Sequence, residues 1–402
     1  MQPPAPSSPA PITARIVQLD ALRGIAVIGI AWMNVYAFAL PLQAYYNPAA
    51  FGMESAADRW VWLISFVFIE DKFRTLFAML FGAGCLILLE RGGERSWRAH
   101  YARVAVLFLI GLIHATLIAS NDILRAYAFA GLALPILARL SAPPLYAIAI
   151  GLVAVHMGIG ITTFGGAVVD YYEGRLASDL VVMMERNFGS DPGGLNYALG
   201  LGQEGFAERA VRRFNGIPTQ LRNLFAALAI NLSAMTLGMA LWRDRMLAGE
   251  WRTFRMQRLA GACALIAIPA LLVIGWWIAS SFFPGALAGP AALIISAPFD
   301  MLLALAYALL VMALLDPQGH ATRVLAACGR LSLTNYLTTS LIFAALFTPW
   351  GLGLFAQVTR AQAFALSFVP IAAMLVWSPL WVASLGQGPL ERVWRAGAKA
   401  LS

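Results

Sequence analysis

Long apolar runs recur along this 402-residue chain, separated by short connections rich in arginine. An α-helix needs roughly 20 mostly apolar residues to cross about 30 Å of hydrocarbon. Runs of this kind fall at 22–40, 73–90, 104–120, 124–138 and 145–164, then at 223–242, 259–280, 290–315, 331–349 and 364–386. In lipid every backbone N–H and C=O must be bonded inside the protein, and a helix achieves this within one segment. The expected fold class is therefore all-α, a polytopic transmembrane helix bundle of about ten spans. Composition agrees, because 60% of residues are hydrophobic and only 12% are charged, against about 25% charged in ordinary soluble domains. Cys85, Cys263 and Cys328 stand far apart in apolar runs, with neither a disulfide framework nor metal-ligand spacing, so no metal is expected.

The net charge of +8 raises the question of nucleic acid. Its distribution answers otherwise. With the N-terminus inside, the inner connections hold Arg15 and Arg23; Arg91, Arg95, Arg98 and Arg103; Arg139; Arg243, Arg245, Arg252, Arg255 and Arg258; Arg323 and Arg330; and Arg392, Arg395 and Lys399. Short outer connections hold only Arg59, Arg125 and Arg360. This is a positive-inside pattern, predicting both termini in the cytoplasm, a bacterial inner membrane and the lipid bilayer as the main partner, with no nucleic acid. Residues 1–19, rich in Pro, Ser and Ala, are expected to be disordered. They lack the basic start and cleavage site of a signal peptide, so 22–40 should remain as a helix.

The organisation reads as a first five-helix half (20–164), an extracytoplasmic insert (165–222), a second five-helix half (223–388) and a basic cytoplasmic tail (389–402). In the first half, 57–71 is apolar but short and is expected to be a re-entrant or interfacial helix. The insert carries Leu176, Leu180 and Met184, then Phe206, Ala210 and Phe214, at helical spacing among charges, which predicts amphipathic helices on the outer surface. No sequence repeat relates the halves.

Polar residues at hydrocarbon depth are costly, so they usually face a partner or a cavity. Those here are Asn34, the cluster Glu70, Asp71, Lys72 and Arg74, then His114, Asp122, Asn231, Asp300, Asn335 and Tyr336. Glu70, Lys72, Arg74, Asn231 and Asp300 are the expected substrate-binding set, although the first three also suit an interfacial salt-bridge network. Asn34 also suits helix-to-helix hydrogen bonding, and Tyr336 suits packing. An intramembrane imidazole can pass protons, which singles out His114. His156, with no charge nearby in the sequence, is expected to be structural. Polar groups near both ends suggest a path or site reaching across the bundle.

Three segments then stand out: LDALRGIAVIGIAWMN (19–34), EDKFRTLFAMLFGAG (70–84), and GRLSLTNYLTTSLIF (329–343) continuing to GPLERVWR (388–395). Together with GLIHA and NDILRAYAFAGL within 111–132, they resemble the YeiB-like bacterial membrane proteins grouped as domain of unknown function 418. The resemblance implies a wider kinship with transmembrane acyltransferases, the acyltransferase-3 family and the heparan-alpha-glucosaminide N-acetyltransferase type. Acyltransferase-3 proteins begin with LDxLRGxA and place a His after the Arg and ten intervening residues. Here Arg23 matches the Arg and Asn34 stands at the His position. Asn cannot act as a general base, but it can orient an acceptor or donate to a developing oxyanion.

On that kinship, a cytoplasmic acyl-CoA such as acetyl-CoA is the co-substrate, with no permanently bound cofactor. Arg23, Arg330 and Asn335 would hold it. His114 would serve as the base, oriented by Asp122, with Asn34 completing the catalytic set. Eight residues on one helix span about 12 Å, so a His114–Asp122 contact requires the chain to fold back. The acceptor would be a small molecule, glycan or lipid, and a homodimer is compatible with this reading. Two other functions compete: a proton-coupled transporter or lipid flippase using His114, Asp300 and Glu70, and a non-catalytic membrane scaffold.

Overall fold

The computed structural model describes residues 16–93 and 96–401. Residues 1–15 of the 1–19 stretch expected to be disordered, and Arg95, expected on the inner side, lie outside the described residues. Val17–Leu19, expected to be disordered as well, instead form the first turn of α1, because Leu19 continues the helix's buried face. Helix α1 (Val17–Ala39) leads through short α2 (Leu42–Tyr46) to α3 (Ala56–Phe68) and α4 (Lys72–Arg91). α5 (Ser96–Leu117) turns back into α6 (Leu124–Gly131) and the single turn α7 (Leu134–Leu137), before the long α8 (Ala142–Tyr172). The insert contributes α9 (Asp179–Phe188), α10 (Pro192–Gly202), α11 (Phe206–Asn215) and α12 (Ile217–Ala226). The second half holds α13 (Leu228–Arg243), α14 (Thr253–Ser280), α15 (Gly285–Pro290), α16 (Ala297–Leu314) and α17 (His320–Arg330). It ends with α18 (Ser332–Phe347), α19 (Arg360–Leu366), α20 (Phe368–Leu385) and α21 (Pro389–Leu401). Among the described residues there is no strand, and the all-α class holds.

Seven helical stretches among the described residues are long and apolar enough to cross a membrane, and α12–α13, bent by 53°, make an eighth. The run expected as one span at 331–349 is a shorter apolar helix, Ser332–Phe347. The run expected at 124–138 is not one helix. It breaks between Gly131 and Leu134, and Pro135 opens the turn that follows, because proline cannot continue the helical hydrogen bonding of the preceding turn. The segment expected as re-entrant does not double back: α3 and α4 count together as one 36-residue apolar stretch, Ala56–Arg91. Lipid-type surface is plain on α14, where Leu265 and Trp276 are 77% and 70% exposed.

Two glycine crossings set the packing. On α1 and α17, a Cβ on Gly24 would run into the Leu325 carbonyl and one on Gly329 into the Asp20 carbonyl. On α4 and α13, Gly82 and Gly238 face the backbones of Met235 and Met79 in the same reciprocal way. Small residues are what allow helix backbones to approach this closely in a bundle.

The insert is fastened to the far end of the bundle. Gln43 donates to the Arg186 carbonyl at 3.0 Å, and Asn47 donates to the carbonyls of Phe188 at 2.7 Å and Phe283 at 2.8 Å. Between α15 and α16 lies a π-helical turn, Ala291–Ile295, and His156 Nε2 donates to its Leu293 carbonyl at 3.0 Å. His156 therefore satisfies a carbonyl where the regular ladder is interrupted, in keeping with the structural role expected for it.

Candidate functional site

α5 ends at Leu117 and the chain reverses before α6. Ile118 and Ala119 both donate to the His114 carbonyl, at 2.8 and 3.0 Å, which tightens the end of the helix. The reversal returns Asp122 to His114, with Oδ2 only 2.7 Å from Nδ1. The fold-back that this contact requires is thus present. Asp122 Oδ1 accepts the backbone N–H of Arg125 at 3.0 Å and lies 3.6 Å from Arg125 Nε. Gly111 makes room: a Cβ there would stand 2.7 Å from Asp122 Oδ1.

Both members of the pair are buried, His114 at 2% and Asp122 at 6% exposure. A carboxylate on Nδ1 selects the tautomer whose lone pair is on Nε2. That Nε2 is buried and has no partner among the described residues. Asn121 donates weakly to Asn34 Oδ1 at 3.5 Å, bringing the expected Asn34 to the same neighbourhood. The Tyr336 ring lies 5.4 Å from the His114 ring, and its hydroxyl accepts the Ile123 N–H at 3.3 Å. Tyr336 and Asn121 join the site only through the turn at 118–123; along the chain alone an aromatic and an amide there look like ordinary packing.

Tyr336 is also in the wall of a cavity of about 410 Å³ that opens among the basic residues Arg23, Arg91, Arg330 and Arg395. Phe77, Phe81, Leu107 and Tyr127 make its apolar lining. Arg23 pairs with Asp20 at 3.1 Å, and Arg330 donates to the Gly386 carbonyl at 3.1 Å. Glu391 on α21 accepts the N–H groups of Leu333 and Thr334 at 2.9 and 3.1 Å, capping the start of α18. The arginines of α1, α4, α17 and α21 thus meet at one end of the bundle. Asn335, expected beside Arg330, does not line this cavity. Its amide donates to Cys328 and Ser378 and its oxygen accepts from Trp377.

The expected substrate-binding residues form a second, separate group at the break between α3 and α4. Lys72 Nζ lies 2.6 Å from Asp300 Oδ1 with both side chains almost wholly buried, and Ser296 donates to Asp300 Oδ2 at 2.8 Å. Arg74 pairs with Asp71 at 2.8 Å and donates to Asn231 at 3.1 Å. Asp71 adopts a left-handed φ of 58°, which interrupts the helix. The interruption frees carbonyls that lipid cannot satisfy; Lys72 Nζ takes that of Phe66, and the Tyr307 hydroxyl takes that of Phe68 at 2.8 Å. Glu70 is buried beside them with Oε1 unbonded. Glu70, Lys72 and Asp300 therefore stand apart from His114 and Asp122, the two groups bridged by α6, whose Tyr127 donates to the Arg74 carbonyl at 2.6 Å.

The family described as a protein of unknown function (DUF418) matches residues 241–400. The chain is 33% identical over 390 residues to the uncharacterized protein YeiB of Escherichia coli (strain K12), covering 95% of each. It is 30% identical over 403 residues to the uncharacterized protein YxaH of Bacillus subtilis (strain 168), covering 95% of this chain and 94% of that one. No solved structure matches at a significant level. With a helical membrane bundle and relatives aligned along nearly its whole length, the chain belongs to the YeiB-like family of multi-pass membrane proteins.

Proposed function

We propose that this protein is a membrane acyltransferase. The observation that carries the reading is the buried Asp122–His114 pair, its Nε2 unbonded, standing behind Tyr336 at the wall of a basic-mouthed cavity. An arginine rim suits the phosphates of an acyl-CoA, and the positive-inside rule would have that rim face the cytoplasm. The acyl arm would extend along Phe77, Phe81 and Leu107 toward Tyr336.

In this reading the acceptor hydroxyl or amine loses its proton to His114 Nε2 while its oxygen or nitrogen bonds to the thioester carbonyl carbon. Asp122 would stabilise the imidazolium, and Asn34 or Asn121 would donate to the oxyanion. Collapse breaks the C–S bond, and the imidazolium returns its proton to the departing CoA thiolate. The test is calorimetric titration of purified protein with acetyl-CoA and CoA. Saturable binding that Arg23→Ala weakens supports the reading, and absence of binding to folded protein at millimolar ligand refutes it.

A second reading, a proton-coupled transporter, is favoured by a different observation. An interrupted helix with the Lys72–Asp300 pair and Glu70 at the break is the arrangement in which transporters place substrate and coupling ions. Abolition of proton-coupled uptake by Asp300→Asn in vesicles, with acetyl-CoA binding absent, would favour it.

A further inference from the structure

Where α10 gives way to α11, three guanidiniums surround one carboxylate. Arg212 occupies both oxygens of Glu204, with Nε 2.7 Å from Oε1 and Nη2 2.7 Å from Oε2. Arg209 Nη2 is spent on carbonyls at the end of α10, chiefly Gly202 at 3.0 Å. Arg213 is left over. It is only 9% exposed, and its Nε and Nη1 are buried without a partner, as is Arg209 Nε. Burial first, then the positive neighbours Arg209 and Arg212, push its guanidinium down to about 9. Buried N–H donors lacking acceptors are costly, and three cations against one carboxylate leave the pocket short of negative charge. A planar guanidinium fork matches the oxygens of a phosphate bidentately.

The outer faces of α11 and the following α12 indicate where such an anion comes from. Phe206, Val211 and Phe214 on α11 and Phe225 on α12 are 48%, 60%, 64% and 64% exposed. An amphipathic pair with aromatic residues outward and Arg209 and Arg213 turned inward is built to lie at the level of lipid head groups. The site also touches the dyad's support: Gln220 donates to the Arg213 carbonyl at 2.9 Å and accepts from Arg125 Nη1 at 2.5 Å, and the Arg125 N–H holds Asp122.

We propose that Arg213, with Arg209, binds a phosphate group in the insert, supplied by the head group of an anionic lipid. This does not depend on the acyl-transfer reading.

The test is thermal unfolding of delipidated full-length protein in detergent, with added phosphatidylglycerol, phosphatidylcholine or inorganic phosphate, for wild type, Arg213→Met and Arg213→Lys. Wild type should be stabilised by phosphatidylglycerol beyond phosphatidylcholine; Arg213→Met should lose the difference and Arg213→Lys keep part of it. A shift with inorganic phosphate as well would mark the phosphate group alone as sufficient; a shift with lipid only would show that the chains contribute. Without anion, Arg213→Met should unfold at or above the wild-type midpoint, because it removes an unpaired buried charge. A lower midpoint would mean that Arg213 is bonded within the protein and would overturn the proposal. So would a phosphatidylglycerol shift undiminished in Arg213→Met, or no anion-specific shift in wild type.

Discussion

The buried pair Lys72–Asp300 offers the sharpest test of how this bundle tolerates charge. At 2.6 Å two unit charges attract by about 6 kcal/mol at an effective dielectric constant of roughly 20, and desolvation of both ions offsets most of that. Deleting one partner removes the attraction but leaves the other ion buried, which costs about 3–5 kcal/mol. Asp300→Asn should fall in that range. Lys72→Met should cost more, because Lys72 Nζ also donates to the Phe66 carbonyl at the end of α3, and orphaning that acceptor adds about 1–3 kcal/mol. The double variant removes both charges and should retain only the carbonyl penalty, so that it is more stable than Lys72→Met alone. Equilibrium unfolding in mixed detergent–SDS micelles, with all four proteins under one protocol, reads the difference. The reasoning is refuted if the two single losses add within about 0.5 kcal/mol, as they do for sites with no interaction.

Three further outcomes are expected. His114→Gln and Asp122→Asn should lower acyl transfer to a surrogate acceptor by about 10²- to 10⁴-fold, the usual contribution of a positioned base, while leaving CoA affinity unchanged; a parallel loss of affinity would place the pair in binding instead. Arg23→Ala and Arg330→Ala should each weaken CoA binding by about 10- to 100-fold, the worth of roughly 1.5–3 kcal/mol per charge-assisted hydrogen bond, as read by calorimetry. Gly329→Ala should lower the unfolding midpoint because its Cβ meets the Asp20 backbone, whereas Gly158→Ala, with open space around it on α8, should raise or preserve it.

Much of the architecture was legible because lipid imposes a one-dimensional rule. Runs such as 22–40 and 259–280 must be helical to bond their own backbones, and α1 and α14 follow them closely. The rule weakens where helices break inside the protein. At Asp71, between the apolar runs of α3 and α4, the backbone turns left-handed, and Lys72 and Tyr307, from different helices, make the break tolerable. The short α6 and α7 likewise pass as one span by hydropathy, although the helix breaks between Gly131 and Leu134, just before Pro135.

The candidate site divides in the same way. His114, Asp122, Asp300 and Lys72 could be singled out along the chain, since ionisable groups among apolar residues demand partners. The Lys72–Asp300 pairing could not, because it depends on distances between residues far apart in sequence, and the His114–Asp122 pairing entered only through the family resemblance, because it depends on one reversed turn. Lys72 meets Asp300 across 228 positions, and His114 reaches Asp122 only because residues 118–123 fold back. The place of Tyr336 between cavity and imidazole, the diversion of Asn335 to Ser378 and Trp377, and the stranded donors of Arg213 have no local signature at all. The amino-acid sequence by itself determined that this protein is an all-helical membrane bundle and which polar residues must be buried in it, because solvation acts on each residue separately. Tertiary structure alone decided which of them meet, because hydrogen bonds and ion pairs act between residues and vanish within a few ångströms.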